Sequence, residues 1–167
     1  IAAKNAEALR ILNQKIKDRE IDKRYLCIVH GTPRPASGRL EGQLFKDAKE
    51  NRVYITKTPQ KGSKTCITFY KTLQSRNGLS LVECELVTGR THQIRAHLAH
   101  IGCPILGDSK YGNNAANREL KLKYQALCAW ELTMPRFTQP DFAFLSGKTF
   151  HAPKPWYYQQ VLDGTLK

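Results

Sequence analysis

Between Lys23 and Val87 the sequence runs through apolar segments of strand length, separated by short polar connections that contain Gly or Pro. Lys23 to His30 reads K-R-Y-L-C-I-V-H, with Tyr25, Cys27 and Val29 alternating against Leu26, Ile28 and His30. Both faces are largely apolar, which suits a central strand covered on two sides. Gly31, Pro33 and Pro35 end it. Residues 38–57 read as a hairpin, with Leu40, Leu44 and Phe45 on one arm, Val53 and Ile55 on the other, and Lys46 to Arg52 as a charged turn. Pro59 to Ser63 is a basic loop. Lys64 to Leu73 and Leu79 to Val87 are two further strands, joined at Ser75-Arg76-Asn77-Gly78. Asn-Gly tolerates the positive φ that a tight hairpin turn requires. Such connections argue for antiparallel pairing, so the expected class is α+β: one mixed, mostly antiparallel sheet with a few packed helices.

The flanks supply the helices. Residues 4–19 have helical periodicity, with Ala8, Leu9, Leu12 and Ile16 expected to face inward. Asn113 to Tyr124 is polar and mixed in sign, and a short helix or a loop fits it equally well. Gln125 to Met134 reads as a buried strand. Pro135 and Pro140 bracket a loop, and Phe142 to His151 reads as a hairpin around Ser146-Gly147. Pro155 opens a final helix through Leu162, ended by Gly164, with Trp156, Val161 and Leu162 docking it. There is no internal repeat, linker or low-complexity segment, so residues 1–167 read as one unit.

The densest chemistry lies in Leu86 to Gly112, L-V-T-G-R-T-H-Q-I-R-A-H-L-A-H-I-G-C-P-I-L-G-D-S-K-Y-G. Thr88-Gly89 breaks the strand pattern. Ile94, Leu98 and Ile101 then recur at helical spacing and form a buried stripe. Thr91 is the expected N-cap. Arg90, Thr91, His92 and Gln93 fall where free backbone N–H groups and the helix dipole attract anions. Arg95 lies on the edge of the stripe, where a guanidinium reaches a cleft and holds a carboxylate or phosphate through two nitrogens. Gly107 and Gly112 bracket a second turn, in which Asp108 is expected to bond backbone N–H groups. His97 and His100 share a helix face, yet no Cys or carboxylate completes a metal set at the usual spacing.

Charge narrows the partner class. The chain has 167 residues, 27 Lys+Arg against 14 Asp+Glu, and a formal net charge of +13. That balance favours a polyanion, most often nucleic acid. Residues 26–80 hold ten Lys or Arg against three Asp or Glu, while residues 81–112 hold three of each. The bulk phosphate grip is therefore expected in the earlier stretch and a specific site in the later one. The five cysteines form no C-x-x-C pair and most fall in apolar strands, which indicates reduced thiols and a cytoplasmic setting. No run approaches a membrane span, and G-x-x-x-x-G-K-[ST] and G-x-G-x-x-G are both missing, so neither a membrane nor a cofactor is expected.

V-T-G-R-T-H-Q-I-R followed by L-G-D-x-x-Y-G resembles the signature of the RluA-type pseudouridine synthases, and K-R-Y at Lys23 to Tyr25 is similar to that family's K-x-Y strand. The resemblance covers essentially the whole chain and implies the later part of a pseudouridine synthase catalytic domain. It implies isomerisation of uridine to pseudouridine in RNA, without a cofactor or metal, with 23S ribosomal RNA as the target and a monomeric protein. Tyr25 would stack on the flipped uracil and help move its proton. Arg95 would pair with the family's catalytic Asp, Ile94 would line the pocket, and Arg90, Thr91, His92 and Gln93 would contact RNA or brace the site. That Asp belongs to an H-R-L-D-x-x-T-S-G motif which these 167 residues do not contain. With Ile1 in place of a Met, the chain is expected to be a catalytic-domain fragment lacking its nucleophile. The rival expectations are a non-catalytic RNA-binding module of the same fold and a structural ribosome-associated protein.

Overall fold

The computed structural model describes residues 1–119, 122 and 124–166. Seven strands form one sheet: β1 (Asp22–His30), β2 (Ser37–Asp47), β3 (Arg52–Thr56), β4 (Lys64–Arg76), β5 (Leu79–Leu86), β6 (Leu127–Thr133) and β7 (Thr149–His151). Their order is β3-β2-β4-β5-β1-β6-β7, and every pairing is antiparallel. The β4–β5 turn places Asn77 and Gly78 at positive φ, 53° and 75°, as the Asn-Gly pair requires. β1 sits between β5 and β6, and its Leu26 to Val29 are buried on both faces.

Among the described residues four α-helices accompany the sheet: α1 (Ala6–Lys17), α2 (Gln93–His100), α3 (Asn114–Glu119) and α4 (Tyr157–Asp163). Strand alternation decides what each face holds. Cys27, Val29, Val82 and Cys84 pack against Ile94 and Leu98 of α2 on one face. Leu26, Ile28 and Leu81 pack against Tyr157 and Val161 of α4 on the other. Each fully buried aliphatic contributes about 1.5–3 kcal/mol of burial, enough to fix α2 against the sheet. Tyr157 also donates its hydroxyl to the Leu26 carbonyl at 2.9 Å, which registers α4 on β1.

Several elements differ from expectation. In α1 only Leu12 is buried, while Leu9 and Ile16 are 53% and 41% exposed, because α1 packs by a narrow stripe onto Ile21 and Met134. β6 is half-buried rather than buried, since it lies near the sheet edge with only the short β7 beyond it. Phe142 to His151 is not a hairpin: Pro140–Leu145 is a 3-10 helix with Pro at its start, and Thr149–His151 pairs instead with β6. Trp156 is 58% exposed, and Tyr157 docks α4 in its place. Asn113 to Tyr124 begins as α3, and part of that stretch, residues 120, 121 and 123, lies outside the described residues.

Candidate active site

β5 delivers the chain to Thr88-Gly89, and α2 then turns back over β4. The expected Thr91 cap does not form. His92 takes the N-cap position in the left-handed region, φ 53°, and its side chain makes no capping bond. Gln93 does the bracing instead. Its Oε1 accepts from the Thr88 hydroxyl at 2.7 Å and from the Arg90 N–H at 3.0 Å. Its Nε2 donates to the Ile67 carbonyl and to Thr68 Oγ1, each at 2.9 Å. Gln93 is 2% exposed, so this fully used amide locks the first turn of α2 onto β4.

Arg95 is one residue beyond Ile94 and points away from the sheet-facing stripe. Its Nε and Nη2 donate to Oδ2 and Oδ1 of Asp108 at 2.7 and 2.8 Å. The Asp108 side chain is fully buried and that of Arg95 is 13% exposed. Asp108 Oδ1 also accepts the N–H groups of Lys110 and Tyr111 at 2.9 Å, the turn expected for this aspartate. Burial alone would raise the Asp108 carboxyl, but the Arg95 guanidinium and the two N–H groups outweigh it and hold the group below its ordinary range. The same pair pushes Arg95 further up. Nη1 of Arg95 keeps no partner among the described residues.

Tyr111 closes the back of this arrangement. Its ring lies 5.1 Å from Arg95 Cζ and 5.0 Å from Arg52 Cζ, both within cation–π range. Its hydroxyl accepts the Val53 N–H at 2.7 Å and sits 3.2 Å from His92 Nδ1. Burial lowers the His92 pKa, and the charges of Arg95, Lys110 and Lys46 add to the effect.

Tyr25, Arg90, His92, Gln93, Ile94 and Arg95 line one cavity of about 330 Å³, with Leu86, Gln125 and Leu127 completing it. Tyr25 stands where β6 shifts register, its pairing passing from Arg24↔Glu131 to Tyr25↔Ala129. The extra residue, Trp130, makes a bulge of the kind that re-aims a neighbouring side chain. Burial raises the Tyr25 phenol. Thr91 is the one expected site residue outside this cavity; it lines an adjacent one with Arg90. The Arg95–Asp108 pair is not legible in the sequence, since the twelve residues between them carry no period that brings them together. The i, i+3 histidines do not share an ion: His97 is buried against Thr68 and Cys66, and His100 is exposed. Among the described residues no group of three metal-capable side chains occurs, and no helix is long and apolar enough to cross a membrane.

The antiparallel sheet thus presents a fixed arginine and a tyrosine in one cavity. The family described as RNA pseudouridylate synthase matches residues 1–100, and the chain belongs to that family. The chain is 40% identical to an RNA pseudouridine synthase of Chlorobaculum parvum, over 98% of this chain and 53% of that protein. It is 34% identical to the RNA pseudouridine synthase YlyB of Bacillus subtilis, over 100% of this chain and 52% of that protein. Ribosomal large subunit pseudouridine synthase C of Rickettsia bellii is 38% identical over 68% of this chain and 38% of its own length. The chain thus spans about half the length, or less, of the curated relatives it matches. The solved structure of human RNA pseudouridylate synthase domain containing 1 shares the fold, with a TM-score of 0.73 and 24% identity over 97% of this chain and 65% of that one.

Proposed function

We propose that the protein to which this chain belongs isomerises specific uridines to pseudouridine in structured RNA, with 23S ribosomal RNA as the target, acting as a cytoplasmic monomer without a cofactor. The observation that carries the reading is the joint presence of Tyr25, Ile94 and Arg95 in one cavity, with Arg95 held by two bonds and one guanidinium nitrogen uncommitted. The target base leaves its stack and enters this cavity. Tyr25 stacks on the uracil, and its raised pKa keeps the phenol able to carry a proton. Arg95 pairs through Nη1 with a catalytic aspartate from the H-R-L-D motif, which these residues do not contain, and keeps it ionised. That carboxylate attacks the sugar or takes a sugar proton. The N1–C1′ bond breaks, uracil rotates, a C5–C1′ bond forms, and C5 loses its hydrogen while N1 gains one. Arg90, Thr91 and His92 face the RNA, and Gln93 braces the helix. These 167 residues, taken as a single catalytic-domain fragment, are then inactive alone.

Loss of the C5 hydrogen gives the assay, tritium release from RNA labelled at C5 of uridine. Arg95→Lys keeps a cation beside the buried Asp108 and spares the fold, but removes the two-nitrogen geometry. In the full-length protein it is expected to lower turnover by at least about a hundredfold, with unfolding still cooperative and the melting temperature only a few degrees lower, because the buried Asp108 loses one of its two Arg95 bonds. Turnover near that of the unsubstituted protein would refute the role of Arg95. A second reading, an RNA-binding module without chemistry, draws on the neutralisation of Arg95 by Asp108 inside the chain. RNA binding by the full-length protein with no tritium release from any ribosomal substrate would favour it.

A further inference from the structure

The cavity next to the candidate active site measures about 390 Å³ and is lined by Lys46, Lys64, Arg90, Thr91, Gly62 and Gly89 over a floor of Leu44. Strand register explains the convergence. Leu44 lies opposite Lys64 across β2 and β4, and Lys46 is two residues further along β2. All three side chains therefore leave the sheet on the face that carries α2. Arg90 approaches from the other side, its Nε donating to the Thr65 carbonyl at 3.4 Å.

Three features separate this cluster from a generally basic surface. Among the described residues, none of its three cations takes part in an ion pair. By contrast Arg24, on the opposite sheet face, has Glu83, Glu85 and Glu131 at 3.5–3.8 Å. Next, the backbone at Gly62 and Gly89 is open, because a Cβ at either position would meet nothing within 4 Å. A bulky anion can come close to main-chain groups there. Last, Arg90 lines both this cavity and the one holding Tyr25 and Arg95, so the two are contiguous. The charge of Lys46 also reaches the first cavity, where it helps to lower the His92 pKa.

We propose that Lys46, Lys64 and Arg90 form a phosphodiester subsite that holds the RNA backbone next to the nucleotide whose base enters the Tyr25–Arg95 cavity. The inference rests on the RNA reading above and adds where the strand is gripped. Lys46 and Lys64 supply point charges, Arg90 can present two nitrogens to one phosphate, and the shared wall sets the distance between phosphate and base. A phosphate fixed there orients the strand before the base is flipped.

The test is the salt dependence of binding between the native protein and a short oligouridylate, followed by fluorescence anisotropy in graded KCl. On a single strand, removing a lysine that contacts phosphate lowers the log–log slope by about 0.7. The Lys46→Ala/Lys64→Ala double variant is expected to lose about 1.4 from the slope. Lys71→Ala/Lys148→Ala changes the net charge equally at exposed positions outside the cavity, and is expected to leave the slope near that of the unsubstituted protein. Equal effects of the two double variants would overturn the subsite and leave the RNA reading standing. Binding by the unsubstituted protein that does not respond to salt would overturn both. Inorganic phosphate, exchanged for chloride at constant ionic strength, is expected to compete no better than chloride. Competition that the cavity variant abolishes would mark a small-anion site and overturn the assignment to RNA.

Discussion

His97 has both ring nitrogens committed to the interior. Nδ1 lies 2.8 Å from Thr68 Oγ1 and Nε2 lies 3.3 Å from Cys66 Sγ. Thr68 Oγ1 already accepts from Gln93, and Cys66 donates to the Gly42 carbonyl at 3.3 Å. A consistent set of donors then has Thr68 donating to Nδ1 and the Nε2–H donating to sulfur, which is the neutral ring. Burial disfavours the charged ring, with His100 adding to the effect, and His97 titrates at about 4. An unfolded histidine titrates near 6.5. The folded state thus binds fewer protons in that interval, so its stabilisation is complete above about pH 6.5 and is lost as the pH falls towards 4, by about 3 kcal/mol. Urea midpoints followed from pH 7 to 4 are expected to fall steeply for the unsubstituted protein and by less than half as much for His97→Gln. Superimposable profiles would contradict a buried neutral His97. The spacing of His97 and His100 was legible beforehand; that His97 lies on β4 was not, because periodicity assigns a face without naming what covers it.

At the scale of elements, two devices carry the site. One is α2, seated by Ile94 and Leu98 below and by the Gln93 bonds at its start. The other is the turn from Gly107 to Gly112, which carries the carboxylate that holds Arg95. Gly107 has φ +75°, and a Cβ there would overlap the Tyr124 carbonyl. Its N–H donates to Asn117 Oδ1 at 2.7 Å, tying the turn to α3. Gly107→Ala therefore combines a disfavoured backbone with a main-chain collision, and is expected to cost about 3 kcal/mol. Chemical denaturation measures this directly, and a loss below about 1 kcal/mol would show that the turn gives way without cost. Both turns and the α2 stripe were readable from glycine placement and helical period. Thr is a good N-cap in general, but here the helix starts one residue later, at His92, and the buried Gln93 side chain fixes the turn by accepting the Arg90 N–H.

Across the whole molecule the sheet separates two surfaces. On the α2 side, Lys46, Lys64 and Arg90, which take part in no ion pair among the described residues, gather around one cavity; on the other side, Arg24 is spent on three glutamates. The cysteines divide by depth as well. Cys27, Cys66, Cys84 and Cys103 are buried and Cys128 is partly exposed. The hydrogen bond with the neighbouring Cys84, with burial adding to it, raises the Cys27 thiol, and burial raises Cys66 and Cys103. A thiol reagent at neutral pH is expected to modify one cysteine of the native chain quickly and all five after unfolding in guanidinium. Rapid modification of three or more in the native state would mean that the sheet opens far more readily than its packing indicates.

The sequence by itself determined the class of the fold, the strands from β1 to β5, the helix carrying Arg95, and the family, because each depends on local period, turn chemistry or a contiguous motif. Only the tertiary structure decided that Arg95 is held by Asp108, that Tyr25 faces the same cavity, and that Lys46 and Lys64 meet Arg90. Those contacts join residues far apart in the chain. They are selected by sheet register and by the burial of Ile94 and Leu98, which act between elements and leave no period in any one of them.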